Sequence, residues 1–114
     1  LQGLEYGLAD LDPVDRARVE VLPGTAGAAV AAAAGMDVVI ADPPRKGLDR
    51  ELLEAMVARP PAQFIYVSCG LQSFLADTAR LTDGGRMSLT RLTTFNLVPY
   101  TEHVETVGCF EPRR

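Results

Sequence analysis

The alternation of apolar and polar positions predicts a strand, a helix and a second strand in the middle of the chain. Apolar runs at residues 38–41 and 64–67 are continuous, which is typical of strands buried on both faces of a parallel sheet. Between them, residues 49–59 predict a helix. Its apolar face carries Leu52, Leu53, Met56 and Val57. A strand, a helix and a strand within about thirty residues predict a βαβ unit.

Upstream of this unit the pattern predicts three smaller elements. Pro13 suits the first position of a short helical turn. Residues 18–22 alternate charged and aliphatic side chains and predict a strand. The alanine-rich residues 25–34 predict a helix capped by a threonine hydroxyl, and Gly35 fits the position after its end.

Downstream of the unit the pattern predicts one helix and two strands. Apolar residues at helical spacing predict a second crossover helix over residues 71–81; they are Leu71, Phe74, Leu75, Thr78 and Leu81. Strands are predicted over residues 86–94 and 103–110. Only about nine residues separate these strands, too few for a parallel crossover, so they should run antiparallel. The whole pattern therefore predicts an α/β fold, with a parallel sheet and a final antiparallel strand.

Reactive side chains follow the ends of the two central strands. Asp42 comes directly after the first apolar run, and Cys69 comes shortly after the second. In open α/β sheets, ligands bind outside the carboxyl ends of the strands. A final strand that runs the opposite way begins at this edge, which brings Glu105 toward it. The sequence therefore predicts a crevice that holds Asp42, Cys69 and Glu105.

Composition limits the kinds of protein that the chain can form. Its 114 residues, 47% of them apolar, suit one small domain with one core. No apolar run approaches the roughly 20 residues that cross a bilayer, so no membrane association is expected. The first residue is leucine, which predicts a fragment or a processed form. With 11 basic and 15 acidic residues, the net charge of −4 argues against a stand-alone nucleic-acid-binding domain.

The cysteines and the single histidine argue against a zinc site and leave one disulfide pairing open, between the two cysteines. Cys69 and Cys109 lie far apart in the sequence and form no C-x-x-C pair, and one histidine is too few for a zinc cluster. Reduced thiols and an intracellular location, in the cytoplasm or in an organelle such as a plastid, are expected. Cys109 is expected to be a core thiol.

Three segments resemble, in order and spacing, motifs of a known family. They are D-P-P-R-K-G-L at residues 42–48, Y-V-S-C at residues 66–69 and P-x-T-x-H-V-E at residues 99–105. They are similar to the three C-terminal motifs of the S-adenosylmethionine-dependent RNA uracil-5-methyltransferases. The resemblance covers roughly residues 18–110 of the chain. The S-C-G-L sequence, in place of the usual S-C-N-P, looks more like a plant or algal branch of this family.

The resemblance implies a fold, a cofactor and three residue roles. The fold is a Rossmann-like class I methyltransferase fold, present in part, and the cofactor is S-adenosyl-L-methionine. Cys69 matches the nucleophile of the family, Glu105 matches its general base and Asp42 matches a cofactor-site residue. The glycine-rich cofactor loop of the family lies upstream of these motifs. Residues 1–114 are therefore expected to be the C-terminal portion of a catalytic domain, whose transfer or ribosomal RNA substrate is gripped by an upstream domain.

Other interpretations remain open at this point. The altered S-C-G-L sequence and the acidic balance also fit a non-catalytic Rossmann-like remnant that binds RNA or a protein partner. A third interpretation is an enzyme of the same fold with another methyl acceptor. Arg45 and Lys46 suit either phosphate contacts or ordinary loop charges. Glu102 and His103 are expected to be solvated or positioning residues rather than the base.

Overall fold

Four strands form one mixed sheet. The computed structural model describes residues 7–22, 24–25, 27, 29–33, 35–83, 86–96 and 104–113. Its strands are β1 (Val38–Ala41), β2 (Gln63–Ser68), β3 (Met87–Phe95) and β4 (Glu105–Pro112), arranged in the order β1-β2-β4-β3. β1 runs parallel to β2, whereas β4 runs antiparallel to both β2 and β3. The predicted α/β fold with a final antiparallel strand is thus confirmed.

Short helices alternate with these strands. They are α1 (Pro13–Arg16), α2 (Val30–Ala33), α3 (Arg50–Ala58) and α4 (Leu71–Thr82). α1 has Pro13 at its start and the Asp12 carboxylate as its cap, which accepts a hydrogen bond of 2.9 Å from the Val14 amide. The predicted crossover helices correspond to α3 and α4. Among the described residues, no helix is long and apolar enough to span a membrane.

The core lies between one face of the sheet and the two longer helices. Phe64 and Tyr66 of β2, Phe110 of β4 and Phe74 of α4 are almost completely buried and form a cluster of aromatic rings. Burial of each such ring contributes about 1.5–3 kcal/mol to stability. Gly108 makes this packing possible, because a Cβ atom there would lie 2.8 Å from Cζ of Phe74.

Two predictions about the N-terminal third differ from the structure. The predicted strand over residues 18–22 is wrong: these residues belong to no strand, and the Arg18 amide instead donates to the Asp15 carbonyl in the turn that ends α1. Charge alternation is a local signal, and a strand also needs a partner to complete its hydrogen bonds. The alanine-rich helix is shorter among the described residues than predicted, although Gly35 does follow it with a φ of +81°.

The predicted burial of β1 on both faces is also wrong. Val38 and Ile40 are 49% and 67% exposed, whereas Val39 and Ala41 point to the opposite face, which packs against the core. In α4, Leu71 and Leu75 are 61% and 57% exposed. The buried stripe of α4 follows Phe74 and Leu81, seven residues apart, and Leu75 lies about 100° away from Phe74 around the helix.

Candidate active site

The pairing of β2 with β4 brings Cys69 and Glu105 to the same edge of the sheet. The register ends with Ser68 opposite Thr106, so Cys69 directly follows the last paired residue of β2, and Glu105 directly precedes its partner on β4. Cys69 is an exposed free thiol and Glu105 is half-buried. A thiol and a carboxylate therefore lie at the carboxyl edge of β2.

Asp42 lies at the same edge on the neighbouring strand. Ala41 pairs with Tyr66, so Asp42 lies near the level of Val67, two residues short of Cys69 along the parallel strand. The exposed Asp42 also lines a cleft of about 510 Å³, whose walls include Ala29, Val39, Ile40 and Leu52. Cys69 and Glu105 do not line this cleft. The three residues of the predicted crevice therefore lie at one sheet edge, but only Asp42 lines the cleft there.

The turn that carries Cys69 is fixed by the serine before it. The Ser68 hydroxyl donates to the Gly70 carbonyl at 3.0 Å and accepts from the Gly70 amide at 3.1 Å. Ser68 is buried, so these bonds exchange little with water. The amide and the carbonyl of Gly70 are thus both hydrogen-bonded to Ser68, the last residue of β2. Cys69 lies between Ser68 and Gly70 and is therefore held just before the start of α4.

The loop that follows Asp42 packs directly against α4. A Cβ atom at Gly70 would lie 2.5 Å from the Arg45 carbonyl oxygen, so only glycine leaves room for the loop there. The Ser73 hydroxyl donates to the same carbonyl at 2.6 Å. Further along, Gly47 turns the loop with a φ of +100° and donates to the Pro44 carbonyl at 2.9 Å. The loop is therefore a structured part of the site.

Asp77 of α4 connects this loop to β2. Its Oδ2 atom accepts hydrogen bonds from the Tyr66 hydroxyl at 2.6 Å and from the Leu48 amide at 3.0 Å. Burial, and after it the Asp77 carboxylate, raises the pKa of Tyr66 well above its ordinary value of 10, so Tyr66 remains a neutral donor. Tyr66 also meets the ring of Phe74 edge-on, with 5.1 Å between the ring centroids.

The predicted site residues did not include the side chains and glycines that support this arrangement, among them Tyr66, Gly70, Ser73 and Asp77. A sequence signal for Asp77 was available, since it lies three residues after Phe74 and four before Leu81 and so falls on the apolar face of α4. A lone carboxylate on such a face needs a hydrogen-bonding partner. The partners themselves are distant in sequence and no local pattern identifies them.

Other predicted residues are only partly located. Arg45 and Lys46 are exposed in the loop after Asp42, whereas Glu102 and His103 lie outside the described residues. Cys109 is a half-buried free thiol on β4. Within the described ranges, no group of three or more His, Cys, Asp or Glu side chains is placed to hold a metal ion.

Comparison with known proteins identifies the family. The sequence model of the family described as tRNA (Uracil-5-)-methyltransferase matches residues 31–113. The chain belongs to this family. It is similar to an RNA methyltransferase of Protochlamydia amoebophila, with 43% identity over 68% of this chain and 20% of the relative. It is also similar to an RNA methyltransferase of Listeria monocytogenes, with 39% identity over 77% of this chain and 18% of the relative.

A solved structure extends the comparison to three dimensions. The tRNA (uracil-54, C5)-methyltransferase of Pyrococcus abyssi, crystallised in complex with S-adenosyl-L-homocysteine, superposes with a TM-score of 0.57 and 32% identity. The superposition covers 68% of this chain and 19% of that one. This member of the tRNA (uracil-5-)methyltransferase family thus spans about a fifth of the length of the relatives that it matches. The plant or algal affinity stays a prediction.

Proposed function

We propose that this chain is the C-terminal portion of the catalytic domain of an RNA methyltransferase that transfers a methyl group from S-adenosyl-L-methionine to C5 of a uridine. The observation that carries the proposal is the antiparallel pairing of β2 with β4, which brings Cys69 and Glu105 to one sheet edge. Family membership and the likeness to a uracil-5-methyltransferase support the choice of reaction. The RNA, a transfer or ribosomal RNA, is gripped with the help of a domain upstream of residue 1.

The residues around Asp42 fit part of a cofactor site. The cleft of about 510 Å³ lies within the size range of small-molecule sites, and most of its walls are apolar. S-adenosyl-L-methionine is a sulfonium cation with an adenine ring and an amino-acid end, which suits apolar walls beside the exposed carboxylate of Asp42. When bound, this cofactor supplies a methyl group that leaves without its bonding electrons. Asp42 would contact the cofactor, at the same sheet edge as Cys69.

Cys69 would activate the uracil ring, because C5 of uracil is a weak nucleophile. Its thiolate adds to C6, and the electrons of the C5–C6 double bond move onto the C4 carbonyl as an enolate. The enolate makes C5 nucleophilic, and C5 forms the new carbon–carbon bond to the methyl group. The target base must first leave its stack in the RNA to reach an edge of this kind. The exposed position of Cys69 supports access by an extruded base.

Glu105 would complete the reaction as the general base. After methylation, C5 carries both a methyl group and a proton, and the S–C6 bond still links the RNA to Cys69. Glu105 removes the C5 proton, the C5–C6 double bond re-forms and the electrons of the S–C6 bond return to the sulfur. Its position at the start of β4, at the sheet edge where β2 ends before Cys69, supports this role.

Trapping of the covalent intermediate tests this function. The protein, in the form its cells produce, is mixed with S-adenosyl-L-methionine and an RNA that contains 5-fluorouridine. Fluorine at C5 cannot be removed as a proton, so a stable RNA–protein adduct is expected, visible as an intact-mass increase. Cys69→Ala should abolish the adduct, whereas Cys109→Ala, a matched cysteine control, should preserve it. If the wild-type protein forms no adduct, or if Cys69→Ala still forms it, the proposal is wrong and the non-catalytic interpretation is favoured.

A further inference from the structure

We propose that Asp77 is a positioning residue that fixes the 42–48 loop, and with it Asp42, against the strand that carries Cys69. The inference rests on the proposed function, because it assigns the loop to the cofactor side of that site. One carboxylate oxygen, Oδ2, accepts a hydrogen bond of 2.6 Å from the Tyr66 hydroxyl and one of 3.0 Å from the Leu48 amide. One carboxylate oxygen of Asp77 therefore joins the end of the loop to β2, the strand that precedes Cys69.

The fit of the loop on Asp77 is also steric. Gly47 has a φ of +100°, and a Cβ atom at this position would lie 2.7 Å from Asp77 Oδ2. The loop backbone thus lies directly on the carboxylate, with no side chain between them. Pro43 and Pro44 have no N–H groups, so the loop can be held by backbone donors only at its other residues. The Leu48 amide is one of those donors, and Asp77 is its acceptor.

The helix that bears Asp77 contacts the loop at two earlier positions as well. The Arg45 carbonyl accepts the hydrogen bond from Ser73, and Gly70 leaves room for the same carbonyl. These contacts follow α4 from its start, next to Cys69, to its middle at Asp77. A shift of α4 would therefore move the loop and the Cys69 turn together. Reacting groups must be held within about 0.5 Å of their productive positions, which gives such coupling a direct role in placing Asp42.

Two substitutions at Asp77 separate its hydrogen-bonding role from its charge. Because one oxygen accepts both donors, Asp77→Asn retains an acceptor for Tyr66 and Leu48, whereas Asp77→Ala removes it. In the protein as its cells produce it, we expect Asp77→Ala to weaken binding of S-adenosylhomocysteine, measured by calorimetry, by about tenfold or more, as expected when a loop is misplaced by about 1 Å. Asp77→Asn should stay within about threefold of the wild-type Kd, a difference below 1 kcal/mol.

A second measurement observes the loop without a cofactor. The Leu48 amide should exchange slowly with solvent in the wild-type protein and in Asp77→Asn, and faster in Asp77→Ala. Leu81→Ala is the matched control, because Leu81 is fully buried on the same helix and has no part in the loop hydrogen bonds. This control should weaken the fold and leave both the Kd and the Leu48 exchange rate of the folded protein unchanged. If Asp77→Ala does not fold, Tyr66→Phe, which removes one of the two donors, takes its place with a smaller effect on the Kd.

The results for the variants test the role of Asp77, and the results for the wild-type protein test the proposed function. Wild-type affinity together with slow Leu48 exchange in Asp77→Ala would overturn the inference. Equal losses in Asp77→Ala and Leu81→Ala would also overturn it, since they would reduce Asp77 to a general contribution to stability. A wild-type protein that binds S-adenosylhomocysteine and forms the RNA adduct keeps the proposed function, whatever the variants do. A wild-type protein that forms no adduct would remove the proposed function, and one that also fails to bind S-adenosylhomocysteine would remove the cofactor role of Asp77 with it.

Discussion

The hydrogen bond between Tyr66 and Asp77 leads to a stability prediction that can be worked out in advance. Tyr66→Phe keeps the buried ring and its contact with Phe74 but removes the hydroxyl that donates to Asp77 at 2.6 Å. A hydrogen bond to a charged group contributes about 1.5–3 kcal/mol. Asp77 is only half-buried and keeps the Leu48 amide as a donor, so the lower part of this range applies. We expect Tyr66→Phe to lower the free energy of unfolding by about 1–2 kcal/mol at pH 7.

The raised pKa of Tyr66 makes this difference depend on pH. Since the folded protein keeps the phenol neutral, its contribution is fully present below the pKa of the unfolded state, near 10. Above pH 10, Tyr66 ionises in the unfolded chain before it ionises in the folded protein. Its contribution to the free energy of unfolding is then lost at up to about 1.4 kcal/mol per pH unit. The difference between the wild-type protein and Tyr66→Phe should therefore be constant from pH 7 to 9 and then shrink.

Urea unfolding of both proteins across this pH range measures the effect. All other titrating groups are shared by the two proteins, so they cancel in the comparison. A difference that is absent at pH 7 would show that the hydroxyl forms no stabilising bond with Asp77. A difference that stays flat from pH 8 to 11 would show that burial does not keep the phenol neutral.

Three further predictions concern the glycines and Glu105. Gly47→Ala combines a φ of +100° with a Cβ atom 2.7 Å from Asp77, so chemical unfolding should show a loss of stability of about 2–3 kcal/mol. Gly35→Ala is the matched comparison, because Gly35 has a φ of +81° but open space around it, and it should lose only about 1 kcal/mol. Gly108→Ala places a Cβ atom 2.8 Å from Phe74 and should lower stability by about 1–3 kcal/mol in the same assay; an unchanged midpoint would contradict the packing described for α4. Glu105→Gln, which cannot take the C5 proton, should accumulate a covalent adduct with ordinary uridine RNA, visible on a denaturing gel, and rapid turnover by this variant would exclude Glu105 as the base.

The sequence contained enough information to predict the central unit of the fold. The continuous run at residues 64–67 and the apolar face of the following helix predict β2 and α4 within a residue or two. The short connection before Glu105 predicts the antiparallel direction of β4. Strand direction alone then brings Asp42, Cys69 and Glu105 to one edge. These predictions succeeded because each depends on local periodicity or on chain geometry.

Other features depend on contacts that the sequence does not reveal. Ile40 belongs to a run that is typical of a buried strand, yet its exposure depends on whether another element covers its face of β1. Residues 18–22 alternate as a strand would, but pairing requires a partner. The partners of Asp77 lie 11 and 29 residues away along the chain, at Tyr66 and Leu48, so its role follows only from the folded structure.

The order of strands in the sheet has a consequence for biosynthesis. β4 follows β3 in the chain but lies between β2 and β3, so that Phe64 pairs with Phe110 across more than forty intervening residues. A chain that emerges from the ribosome can form the β1–α3–β2 unit early, while the side of β2 that pairs with β4 stays unpaired until β4 has been synthesised. Pairings between such distant segments also close slowly. Cys69 would thus be exposed on a nascent chain until the segment that carries Glu105 has been synthesised and has paired with β2.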